Sequence, residues 1–90
     1  MTTTEKLRNF IREPLREKSI VEIPGIGISI EKQLNDLGYT KAYHLVGQFL
    51  LLNKDIVSFD IWLEEQLPDL NSYQRQTICQ AIDDWCKLNI

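Results

Sequence analysis

The run Pro24-Gly25-Ile26-Gly27 is the strongest constraint on what this chain can fold into. A capping spacing, Ser19 to Glu22, stands before it. Ile30, Leu34 and Leu37 recur at helical spacing after it. A short helix, a tight turn and a second helix make a helix-hairpin-helix. Glycine permits positive φ in such a turn and lets a ligand approach the backbone with no Cβ in the way. The amides of Gly25, Gly27 and the start of the following helix are expected to be unpaired and to point outward. With the dipole of the following helix behind them they form an anion site suited to a DNA phosphate. Ile26 is expected to plug inward and hold the two helices together. Amide contacts of this kind read no base edges, so duplex binding is expected to be independent of sequence. A dinucleotide-binding reading fails, since no strand precedes the glycines and no third glycine follows at the needed spacing.

The remaining punctuation marks helix ends. Thr2 and Glu5 have capping-box spacing and open a helix that buries Leu7, Phe10 and Ile11 and stops at Pro14. The helix after the hairpin runs from Ile28 to Leu37, with Gly38 at the left-handed position beyond it. Thr40 caps a helix ending near Leu52, whose apolar residues Ala42, Tyr43, Leu45, Val46, Phe49 and Leu50 cover more than one face. Asp55 caps the next, with Val57, Phe59, Trp62, Leu63 and Leu67 inward and Pro68 as the stop. Asn71 or Ser72 caps the last, which turns Ile78, Ala81, Ile82, Trp85 and Leu88 inward. The fold class is all-α: five to six helices in a SAM-like arrangement, one domain over residues 1–90.

Composition excludes several classes of function. The longest apolar run is Phe49–Leu52, far short of the roughly 18 residues that cross a bilayer. No signal-peptide stretch opens the chain, so a cytosolic or nuclear protein is expected. Cys79 and Cys86 lie two turns apart on one helix, about 10 Å, too far for a disulfide. With His44 as the one histidine, no metal site is expected. No nucleophile stands at fixed spacing from His44, and Glu64-Glu65 and Asp83-Asp84 are adjacent pairs expected on solvated helix faces. No catalytic residue and no cofactor are assigned. The net charge is −3, but residues 1–18 carry Lys6, Arg8, Arg12, Arg16 and Lys18 against three acids, and the rest of the chain holds the acidic excess.

With Met1-Thr2-Thr3, Lys6, Arg8 and Phe10, Glu13-Pro14, Gly25-Ile26-Gly27, Lys41-Ala42-Tyr43, Gly47-Gln48-Phe49-Leu50, Phe59, Trp62-Leu63 and Trp85-Cys86, the whole chain resembles the barrier-to-autointegration factor family of small dimeric chromatin proteins. The resemblance implies a non-enzymatic homodimer that bridges two segments of double-stranded DNA. It implies a groove at the dimer interface for LEM-domain proteins, further contacts with lamin and histones, no membrane insertion, and residence in nucleus and cytoplasm, at the nuclear envelope and on chromatin. Carried over by position, Lys6, Gly25, Ile26, Gly27, Ile28, Ser29, Lys32 and Arg75 form the DNA surface. Tyr43, Gly47, Gln48, Leu50 and Leu51 form the dimer and partner interface. Thr2, Thr3 and Thr4 are the phosphorylation cluster.

The chain departs from the family's pattern in its charge. Glu31 stands where the family usually has a small residue, and Gln33 where it usually has a lysine. Both changes are expected to weaken a phosphate grip. A second reading is therefore a family member kept mainly for protein partners, with poor DNA affinity. A third is an unrelated helix-hairpin-helix or SAM-like interaction domain.

Overall fold

A computed structural model describes residues 5–90. The Thr2–Glu5 capping box and the Thr2–Thr4 cluster lie outside the described residues or reach beyond them. Helix α1 spans Glu5–Arg12, a 3-10 turn spans Ile20–Glu22, and α2 spans Ile28–Asp36. Three further helices follow: α3 over Ala42–Leu51, α4 over Ile56–Gln66 and α5 over Ser72–Asn89. Among the described residues the only extended pairing is an isolated antiparallel bridge between Ser19 and Lys41.

Local chemistry sets most of these boundaries. The Asp55 carboxylate accepts the Ser58 amide at 3.4 Å and the Ser58 hydroxyl at 2.6 Å, which opens α4. Asn71 and Gln74 exchange reciprocal bonds of 2.8 and 3.1 Å, a capping box that opens α5. Gly38 takes φ +96° beyond α2. The start of α3 differs from expectation. Thr40 does not cap it; Lys41 occupies the cap position, and the imidazole Nδ1 of His44 accepts the amides of both Thr40 and Lys41 at 3.1 Å. His44 is thus a helix cap acting backwards from the first turn.

The core lies where all elements meet. Phe49 of α3 and Phe59 of α4 pack edge to face at 5.3 Å, and Trp62 stacks on Phe59 at 5.7 Å. Ile20, Ile23, Leu34, Leu45, Leu63, Ile78 and Ile82 fill the space around them and are fully buried. Helix α1 lies along α5, tied by the Trp85 indole N–H to the Glu13 carbonyl at 2.9 Å and by the Asn89 amide to the Ile11 carbonyl at 2.8 Å.

Four residues expected elsewhere need correcting. Leu37 is exposed because α2 ends at Asp36 and the chain leaves the helical path there. Val57 and Leu88 are exposed because the interior faces of α4 and α5 are set by Phe59–Leu63 and by Ile78–Ile82, which leave them on the outer side. Asp83 is not on a solvated face: it is buried, and Lys87 reaches back to it at 2.9 Å.

Candidate nucleic-acid interface

The hairpin is built from the 3-10 turn, the glycine turn and α2. Ser19 caps the 3-10 turn, and the Ile23 amide closes it onto the Ile20 carbonyl at 3.1 Å. The Ile26 amide then donates to the Ile23 carbonyl at 3.1 Å, turning the Ile26 side chain into the core, where it is buried as expected. An antiparallel pair of backbone bonds, Ile20 to Thr40 and Ala42 to Lys18, fixes the hairpin to the start of α3.

The two glycines do different work. Gly25 has φ +95°, and a Cβ there would sit 2.9 Å from Ile78 Cγ1 and 3.1 Å from Thr77 Cγ2. It is needed for the turn and for its close approach to α5. Gly27 has φ −94° and ψ −172°, ordinary extended backbone, as the cap residue of α2. A Cβ at Gly27 would meet nothing within 4 Å among the described residues, so this glycine leaves the helix start open to them.

The amides of Gly25, Gly27, Ile28 and Ser29 have no acceptor among the described residues, and all four residues are exposed. Among the described residues no side chain caps α2. The positive end of the helix dipole and a row of free donors therefore face solvent together. The Ile28 side chain, 82% exposed, stands beside them.

Two cations belong to the hairpin's surroundings. The Lys6 ammonium of α1 donates to the Val21 carbonyl at 3.1 Å, which seats it on the first element of the hairpin. Lys32 lies one turn beyond Ile28 on the same face of α2, exposed and without an ion pair among the described residues. Arg75 does not join them. Its guanidinium donates to Asp60 at 2.9 Å and to the Leu70 carbonyl at 3.1 Å, and its side chain is only 12% exposed. It braces α4 against α5. Lys18 is likewise occupied, held by the Glu13 carboxylate and, at 3.8 Å, by Glu22; the hydrogen bond it donates to Glu13 raises its pKa above the usual lysine value.

The two departures in charge are unlike in role. The Ser19 hydroxyl donates to Glu31 Oε2 at 3.1 Å, so Glu31 links the two helical elements of the hairpin. Gln33 makes only a marginal 3.5 Å contact with the Ser29 carbonyl one turn back. The seat of Lys6 on Val21 and the Ser19–Glu31 link join residues 15 and 12 positions apart, and no local spacing announces either.

The face expected for self-association is on α3. Tyr43, Leu50 and Leu51 are exposed there, Leu51 at 78%, while Leu45, Val46 and Phe49 of the same helix are buried. Gly47 and Gln48 between them are half-buried, and a Cβ at Gly47 would meet nothing within 4 Å among the described residues. Both faces of α3 are apolar, as its sequence implies.

Five helices and a helix-hairpin-helix define a small all-helical domain of the SAM-like class. The family model described as barrier to autointegration factor matches residues 1–89. The chain is 38% identical over 86 residues to the human barrier-to-autointegration factor, covering 96% of each chain. It is 38% identical over 85 residues to that of Drosophila melanogaster, covering 94% of this chain and 93% of the relative, and 36% identical over 85 residues to that of Danio rerio, with the same coverage. The chain belongs to the barrier-to-autointegration factor family.

Proposed function

We propose that this chain grips the phosphate backbone of double-stranded DNA with its hairpin and bridges two duplexes as a homodimer. One observation carries the reading. The exposed amides of Gly25, Gly27, Ile28 and Ser29 lack acceptors among the described residues at the open N-terminus of α2, with Lys6 seated on Val21 of the hairpin and Lys32 one turn beyond Ile28. A phosphate oxygen accepts from such amides and is held by the dipole and the flanking ammonium groups. Lys6, Gly25, Gly27, Ile28, Ser29 and Lys32 form the contact, with Ile26 as its internal anchor. Arg75 is left out, being committed to Asp60. Arg8, Arg12 and Arg16 are exposed and unpaired among the described residues, and they extend a positive field around α1.

Bridging requires two such sites on one particle. Tyr43, Gly47, Gln48, Leu50 and Leu51 supply the surface for a second copy: apolar side chains flank a glycine that lets two helices approach closely. On this reading, supported by the family resemblance, LEM-domain proteins, lamin and histones are its partners, and it works at the nuclear envelope, on chromatin and in the cytoplasm. It also makes Thr2, Thr3 and Thr4 phospho-acceptors. A phosphate there adds about −1.5 to −2 charge near Lys6, in competition with DNA. The test is capture of a fluorescent duplex on beads that carry a second, unlabelled duplex. The parent retains it; Gly47→Glu still binds one duplex but retains none. Failure of the parent to retain the second duplex would overturn bridging.

A second reading, a member retained mainly for protein contacts, is favoured by the commitment of Arg75 to Asp60 and by the neutral Gln33 on α2. It shares the fold and differs in DNA affinity alone.

A further inference from the structure

Helix α4 carries an apolar strip that nothing in the described chain covers. Val57 and Ile61 lie one turn apart and are 67% and 53% exposed, and Glu64 and Glu65 continue the same face at i+7 and i+8 from Val57. Residues 55–74 contain Asp55, Asp60, Glu64, Glu65 and Asp69, with no lysine or arginine among them. Asp55 is used in capping and Asp60 holds Arg75. Glu65 and Asp69 make no ion pair among the described residues, and Glu64 has only a 3.9 Å contact with Arg75. Beside the strip, α4 and α5 border a groove of about 280 Å³ lined by Ile56, Val57, Asp60, Gln76, Cys79 and Gln80.

We infer that this face docks a basic amphipathic helix of a protein partner. Its apolar residues, at i and i+4, lie on Val57 and Ile61 and along the groove edge. Its lysines or arginines pair with Glu64, Glu65 and Asp69. The strip runs along one helix with helical spacing, so a helix matches it ridge to groove better than an extended strand does. Arg75 is nearly buried against Asp60, so the exposed charge along the strip is that of Glu64, Glu65 and Asp69, which attracts a basic partner and repels both an acidic one and DNA. A second copy of this chain does not fit. Its exposed arginine-bearing helix is α1, whose apolar residue Phe10 is already buried and whose Leu7 and Ile11 already pack against the core. The inference does not depend on DNA binding, since it uses neither the hairpin nor its cations.

The test uses a fluorescein-labelled peptide of about five helical turns, leucines at i, i+3, i+4 and i+7 and lysines elsewhere, titrated with the full chain. The same peptide with serine for leucine, and with glutamate for lysine, are the controls. The leucine–lysine peptide binds and both controls fail. Ile61→Ser and Glu65→Lys each weaken binding about tenfold, with circular dichroism and duplex binding unchanged. Equal binding of the serine–lysine peptide would reduce the attraction to bulk charge and overturn the inference. So would an unchanged affinity in Ile61→Ser. Loss of self-association in Ile61→Ser, read by sedimentation, would make the strip an interface between copies and overturn it likewise.

Discussion

The Ser19 hydroxyl donates to Glu31 Oε2 at 3.1 Å and so ties the 3-10 turn to α2. The charge of Glu31 opposes a phosphate at the start of α2, while its hydrogen bond holds the hairpin together. The two effects separate on substitution. Glu31→Gln keeps an acceptor and removes the charge, so it tightens duplex binding with Tm nearly unchanged. Glu31→Gly loses the bond, gains a flexible residue inside a helix and costs about 1–2 kcal/mol. That lowers Tm by several degrees, about 4–8 °C per kcal/mol for a domain this size. Gln33→Lys, which gives up only a marginal contact, raises affinity without that loss. Thermal melts and duplex titrations on the three variants check the set.

Gly25 is a stability position more than a contact position. Gly25→Ala must hold φ +95° with a Cβ 2.9 Å from Ile78 Cγ1. The backbone strain alone costs about 1–2 kcal/mol, and displacement of Ile78 adds to it. Urea unfolding shows a lower midpoint for Gly25→Ala and a parent-like one for Gly27→Ala, whose φ is ordinary and whose Cβ meets nothing.

The exposed face of α3 makes the oligomeric state sensitive to charge. Light scattering gives twice the chain mass for the parent at micromolar concentration. Gly47→Glu and Leu51→Glu each give the mass of one chain, because a carboxylate in an apolar interface has no partner there. A parent that scatters as one chain would remove the dimer from the account.

Both cysteines are free and buried. Burial, with Asp60 adding to it, pushes the Cys79 pKa from 9.0 up to about 12, and burial also raises that of Cys86. At pH 8 native Cys79 therefore holds about a thousandfold less thiolate than a free cysteine. A thiol-reactive dye labels neither cysteine until denaturant is added. Because the folded pKa is raised, the thiol favours the fold below about pH 9, where both states keep the proton. That contribution is lost as pH rises from 9.0 towards 12, since the unfolded chain ionises first. Unfolding midpoints fall across that window and the Cys79→Ala variant shows a smaller fall.

What the sequence made legible was local. Asp55, Asn71, Ser19 and Gly38 announce helix ends because a short side chain or a missing one satisfies backbone groups within a few residues. The α3 cap is not legible, because an imidazole three residues past the cap position does the work usually done by a hydroxyl such as that of Thr40. Helical period identifies the apolar positions of α4 but not which side its neighbours cover, so the exposure of Val57 is not legible from spacing. The Gly-Ile-Gly turn was legible as a hairpin, yet positive φ belongs to Gly25 alone and openness to Gly27. The engagement of Arg75 by Asp60, the seat of Lys6 on Val21 and the Ser19–Glu31 bond are products of tertiary packing. No spacing encodes them.

The central claim is that free amides at the start of α2 hold a DNA phosphate. Fluorescence anisotropy with two short duplexes of unrelated sequence, titrated by the parent and by Gly27→Glu across a salt series, tests it most directly. The variant keeps the fold by circular dichroism, since nothing lies within 4 Å of the new Cβ. It places a carboxylate where the phosphate would sit. The account predicts that the parent binds both duplexes equally, with a log–log salt slope of about −2 to −3 from its few cations, and that Gly27→Glu binds neither. Parent-like binding by Gly27→Glu, or a parent slope of zero, would contradict it.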